Sequence, residues 1–137
     1  MERIKLEIKV KRLGIYIIYD PDSIIDRYIY YVLRELKNYL SYLIVVCVFP
    51  CIISGKEYIY PFADRIVFRK NKGYDAGAYK DLLCEILGWD FVYNYDELLL
   101  SNDTYYAPIV PFDPMFEIMD RKKCDYWGII RHPGHNI

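Results

Sequence analysis

The chain has little of several things that would narrow its chemistry at once. No sign of charge dominates: 18 Lys and Arg stand against 19 Asp and Glu, a formal net charge of −1. No global field therefore points to nucleic acid or to an anionic membrane as partner. Histidine is scarce, with only His132 and His135, both near the end of the sequence. The four cysteines, Cys47, Cys51, Cys84 and Cys124, are scattered and form no C-x-x-C pair. That argues against a zinc site or a disulfide framework and for free buried thiols in a reducing cytosol. Internal repeats and low-complexity segments are absent. Met1 to Arg12 alternates charged with apolar residues and lacks the apolar core of a signal peptide. The stretch 38–55 carries no charge and approaches the length of a membrane span, about 20 residues. Ser41, Pro50, Ser54 and Gly55 interrupt it, and its most apolar part, Leu43–Phe49, is β-branched and of strand length. A central parallel strand is the expectation there, not a transmembrane helix.

What is present is a core. The 137 residues are 54% hydrophobic, enough for one folded domain over 1–137. Tyrosine is abundant, at 16 residues. Tyrosines line sugar and nucleoside sites, and they also fill cores and half-buried surfaces.

In chain order, Leu13–Tyr19 reads as an apolar strand ending in the turn Asp20-Pro21-Asp22-Ser23. A helix is expected behind it, with Ile24, Ile25, Tyr28, Ile29, Val32, Leu33, Leu36 and Leu40 at helical spacing. Strands follow at 43–49 and 65–68. A second helix is expected over 76–87, ending at Gly88, with a loop or short helical turn over 89–95. A fourth strand at 97–100 closes in Ser101-Asn102-Asp103-Thr104. Asp113-Pro114 opens a third helix, with Met115, Phe116, Ile118 and Met119 facing inward. A fifth strand is expected over 125–130. Strands this short and apolar, alternating with helices, predict an α/β sandwich with a mainly parallel sheet. Ligands in such sheets bind beyond the carboxyl ends of the strands. Asp20, Asn71 and Asp103 each follow a predicted strand and could converge there.

Two stretches carry candidate chemistry. In Arg69–Asp81 the chain turns through Asn71-Lys72-Gly73 and enters a helix with Asp75 as expected N-cap. Ala76-Gly77-Ala78 follow, and small residues let a ligand or another backbone approach closely. An ordinary strand–turn–helix connection would look the same. Arg69 and Lys72 are candidate phosphate partners on charge alone. In the second stretch, Asp103 lies at a strand end between Asn102 and Thr104. A carboxylate so placed suits a hard divalent cation that also grips a diphosphate. It also suits a capping Asp in the turn to Pro108.

Asn71–Tyr79, then Tyr95–Thr104, then Met115-Phe116 and Asp125-Tyr126-Trp127-Gly128, behind the opening Tyr19-Asp20-Pro21-Asp22, resemble the rhamnan synthesis F family of bacterial glycosyltransferases. The resemblance spans roughly 13–130 in consistent order. It implies a Rossmann-like three-layer sandwich of the glycosyltransferase A type. It also implies transfer of a sugar, rhamnose from dTDP-rhamnose, to a glycan or lipid-linked acceptor of cell-surface polysaccharide or lipopolysaccharide synthesis. By the same resemblance Asp103 matches the metal and diphosphate position, with Asn102 beside it. Asn71, Gly73 and Asp75 match the loop beside nucleoside and sugar, and Asp20 the region that meets base and ribose. The implied cofactor is a divalent cation, Mn²⁺ or Mg²⁺, on Asp103. The implied location is the cytoplasm, peripheral at the inner face of the membrane.

Two departures from the pattern stand out. The loop Val48-Phe49-Pro50-Cys51 lacks a polar residue near the nucleoside. The resemblance implies an acceptor-binding part and a general base after Trp127, and the expectation is that residues 1–137 hold the nucleotide-sugar-binding domain without that part, with His132 and His135 the only candidate bases in this stretch. A partner subunit could supply that part, and a non-catalytic module that binds such a partner is the alternative to an enzyme.

Overall fold

A computed structural model describes residues 10–129. Four strands, β1 (Arg12–Ile18), β2 (Tyr42–Cys47), β3 (Arg65–Phe68) and β4 (Glu97–Asn102), form one all-parallel sheet in the order β3-β2-β1-β4. The helices are α1 (Arg27–Leu36), α2 (Tyr74–Lys80), α3 (Trp89–Val92) and α4 (Asp113–Asp120). Short 3-10 turns cover Lys37–Tyr39 and Lys56–Tyr58, and α2 continues as a π-helix over Asp81–Leu87.

The central strands are apolar on both faces because both faces are covered. Tyr16, Ile18, Leu43 and Val45 pack under α1 through Ile29, Val32, Leu33 and Leu36. Leu13, Ile15, Ile17, Ile44 and Val46 pack under Ala78, Leu82, Leu83 and Val92. The layers are helix, sheet, helix, the Rossmann-like α/β sandwich expected from the sequence. The uncharged stretch 38–55 contains β2 at the centre of this sheet, and among the described residues no helix is long and apolar enough to cross a membrane.

Several local expectations are corrected. The first helix starts at Arg27 rather than Ile24. Ile24 instead bridges Ser54, with Ile25 N donating to Ser54 O and Ile53 N to Ser23 O, which keeps 24–25 out of the helix. Asp75 is no N-cap: Gly73 holds that position at φ 78°, a left-handed conformation suited to glycine, and Asp75 sits inside the first turn. Ile118 of α4 faces outward at 55% exposure, while Phe116 is buried. Residues 125–129 form no strand, and Ile130 lies outside the described residues. Trp127 packs edge-on against Phe116 of α4, with ring centroids 5.7 Å apart. The segment is thereby held toward that helix and stands off the outer edge of β4 across a cavity of about 680 Å³. His132 and His135 lie outside the described residues.

Candidate functional site at the junction of β1 and β4

The chain runs outward from β1 through β2 to β3, then returns to the other side of β1 as β4. The strand order reverses there, so the connections after β1 and β4 leave in opposite directions and open a crevice at their carboxyl ends. The register pairs Ile17 with Asn102, which sets Tyr19-Asp20 beside Asp103.

Asp103 is held from two sides. Its Oδ2 accepts a hydrogen bond from Tyr19 N at 2.9 Å, and its carbonyl accepts one from the Tyr28 hydroxyl of α1 at 2.6 Å. Burial pushes the Asp103 carboxyl above its ordinary range. The backbone N–H groups of Tyr19 and Asp103 pull it back, and the charges of Asp75 and Asp20 push it up again. Three carboxylates therefore bear on one strand end. Asp20 spends its Oδ1 on the N–H groups of Asp22 and Ile24, which shapes the turn after β1. Tyr28, pushed up to about 12 by burial and then by Asp103, stays protonated and donates.

The other wall is α2, clamped to the end of β4. Asn102 Nδ2 donates to Asp75 Oδ2 at 2.6 Å, and the Tyr79 hydroxyl donates to Ser101 O at 2.8 Å. Asn102 Oδ1 accepts from the Thr104 hydroxyl at 2.8 Å, and the Ser101 and Tyr105 hydroxyls lie 2.6 Å apart. Tyr16, fully buried in β1, leaves its hydroxyl without a hydrogen-bond partner among the described residues, and burial, with Asp103 nearby, keeps it protonated.

Asp20, Asp75, Asn102 and Asp103 thus share one end of the sheet. Gly73 contributes the turn that places Asp75. Asn71 is exposed in the same loop, and no hydrogen bond among the described residues ties it to the Asp103 group. Arg69 is committed elsewhere: its Nη2 donates to Lys72 O at 2.9 Å and to Asp81 Oδ2 at 2.6 Å. The space around Gly77 is also accounted for, because a Cβ there would lie 2.3 Å from Lys72 O. The small residues admit a backbone carbonyl rather than a ligand. Tyr28 and Tyr79 were legible only as members of apolar helix faces; nothing in the sequence marked their hydroxyls.

No group of three or more Asp, Glu, His or Cys among the described residues is placed to hold a metal ion. The donor set does not fit a cation caged by protein alone. It fits one that takes most of its ligands from a diphosphate and water, with a single carboxylate from the chain.

The model of the rhamnan synthesis protein F family matches residues 43–136. Neither a curated protein nor a solved structure matches the chain. The matched stretch runs from β2 through β3, α2 and β4 to α4 and beyond, so it includes Asp75, Asn102 and Asp103 at the crevice. Fold, order of motifs and family model agree, and they give the chain a role in polysaccharide synthesis by a glycosyltransferase-like protein: it belongs to the rhamnan synthesis protein F family.

Proposed function

We propose that the chain binds the nucleotide-sugar donor of a glycosyltransferase across the carboxyl ends of β1 and β4. The diphosphate lies at Asp103, the nucleoside toward Asp20, and the sugar toward Asp75 and the loop carrying Asn71 and Gly73. Asp103 would hold a divalent cation, Mn²⁺ or Mg²⁺, which would supply positive charge against the leaving phosphate. The donor is dTDP-rhamnose, and the acceptor is a glycan or lipid-linked intermediate of surface polysaccharide. The observation that carries this reading is Asp103 itself, half-buried at the reversal of strand order with Asp20 and Asp75 bearing on it. A carboxyl pushed up first by burial and then by the charges of Asp75 and Asp20 is an arrangement that a cation relieves.

The test is calorimetric titration with dTDP and UDP, with and without Mn²⁺ or Mg²⁺, on the wild type and Asp103→Asn. Cation-dependent binding of dTDP is expected, with that dependence lost in the variant and its circular dichroism unchanged. A variant that binds as the wild type does would remove Asp103 from the site. A second reading, a non-catalytic module that docks a partner subunit, is favoured by the outer edge of β4, which pairs with no strand among the described residues, beside the 680 Å³ cavity. Failure to bind either nucleotide would leave that reading standing.

A further inference from the structure

Among the described residues two that are not glycine hold a left-handed backbone, Ser23 at φ 60° and Tyr74 at φ 55°. That conformation crowds the Cβ of any L-residue and is rare for a bulky side chain. For Ser23 the fold supplies the reason. It is small and buried, its N–H donates to Asp20 O at 3.2 Å, and its carbonyl accepts from Ile53 N at 2.9 Å, so the turn after β1 requires that backbone.

Tyr74 has no such account. Its side chain is 82% exposed, and no hydrogen bond or aromatic contact among the described residues engages the ring. A ring left in water contributes almost no burial to folding, so packing does not offset the strain. Glycine would hold the same backbone without strain, as Gly73 does one residue earlier at φ 78°. Strain that packing does not explain points to a use of the side chain outside the fold.

The neighbours of Tyr74 narrow that use. The next residue is Asp75, whose Oδ2 accepts from Asn102 Nδ2 at 2.6 Å at the carboxyl end of β4. The ring is thus tethered one residue from the crevice. Asp75 Oδ1 has no hydrogen-bond partner among the described residues, so one carboxylate oxygen stays free to accept. Arg69 is taken by Lys72 O and Asp81, and Lys70 and Lys72 are exposed in the loop before Gly73. A phosphate beside Asp75 would meet a like charge, and a nucleobase has no hydroxyl to give it. A sugar suits both groups: its C–H face can lie on an aromatic ring while a hydroxyl donates to the carboxylate.

We propose that Tyr74 is the platform for the donor's sugar, its ring stacked on the apolar face of the hexose while Asp75 Oδ1 accepts from a sugar hydroxyl. The inference rests on the donor-site reading and adds to it the residue that distinguishes a nucleotide-sugar from the bare nucleotide.

Titration of the full chain with dTDP and with dTDP-rhamnose, both in Mn²⁺, tests the proposal on the wild type, Tyr74→Gly and Tyr74→Phe. Tyr74→Gly is expected to bind dTDP-rhamnose about five- to tenfold more weakly than the wild type and to bind dTDP as the wild type does. Tyr74→Phe keeps the ring and should keep the affinity. Tyr74→Gly also relieves the left-handed backbone, so its melting temperature is expected at or above that of the wild type. Affinity lost without stability lost is a result that a merely structural tyrosine does not give. Equal binding of dTDP-rhamnose by the wild type and Tyr74→Gly overturns the proposal. So does an equal loss on dTDP, which puts the ring on the base, or a loss in Tyr74→Phe, which puts the contact on the hydroxyl. A lower melting temperature in Tyr74→Gly overturns it as well, because the ring then serves the fold. In each of these cases dTDP binding by the wild type keeps the donor site. A wild type that binds neither ligand refutes the donor site and the platform with it.

Discussion

Gly77→Ala sets two accounts of the α2 entrance against each other. If the small residues make room for a ligand, a methyl group there blocks nucleotide and leaves the fold intact or better. Alanine is the stronger helix former by up to about 1 kcal/mol. The structure assigns the space to Lys72 O instead, 2.3 Å from where the Cβ would sit, roughly an ångström inside an ordinary carbon–oxygen contact. That oxygen cannot retreat freely. Arg69 Nη2 holds it at 2.9 Å while bonding Asp81 at 2.6 Å, with the Arg69 side chain nearly buried. Overpacking costs about 1–3 kcal/mol, and stretching the bond from a charged donor adds to that. The clash therefore outweighs the propensity gain, and a net loss of about 1–3 kcal/mol is expected. For a chain of this size that lowers the melting temperature by about 3–10 °C. Urea unfolding followed by circular dichroism reads the loss, and nucleotide titration of the folded variant reads the site. Unchanged or higher stability with lost nucleotide binding would refute the reasoning and return the space to a ligand.

Arg12→Ala should be more damaging. Its side chain is 2% exposed, reaches Glu97 at 2.6 Å and Asp120, and stacks on Phe116. Removing it strands two carboxylates that are about one-third exposed, so a loss of about 2–4 kcal/mol in urea unfolding is expected; less than 1 would contradict it. Asp103→Asn should stabilise the fold at neutral pH. Burial holds the folded carboxyl above the ordinary aspartate value of 3.8, so its contribution is fully present below that value and lost as pH rises through the folded pKa. Asparagine escapes that loss and can still accept from Tyr19 N. The melting-temperature difference between variant and wild type should therefore grow from near pH 3.8 toward neutrality, and a flat difference would show that Asp103 carries no burial penalty.

The strands were legible because a doubly covered parallel sheet needs unbroken apolar runs, and Leu13–Tyr19 and Leu43–Phe49 have no other use. The fifth strand was misread for a related reason. Tyr126, Trp127 and Ile129 have strand composition, but composition does not say whether an edge is free to receive them, and Trp127 is taken by Phe116. Asp75 was misplaced by one turn's logic: its residue type suits a cap, but Gly73 can adopt the left-handed backbone and starts the helix earlier.

The sequence by itself determined the α/β class, the family, and the carboxylates and small residues that follow the strands, because periodicity and short motifs are local in the chain. Only the tertiary structure decided what those residues touch. The reversal of strand order at β1 brings Asp103 to Tyr19 across 84 residues of chain, and α2 crosses to put Asp75 on Asn102. Packing turns Tyr28 and Tyr79 from apolar-face residues into donors on β4's end, and it leaves Ile109 and Val110 in solvent beside Arg34. Such pairings are set by which faces the whole chain must bury at once, which no window of the sequence contains.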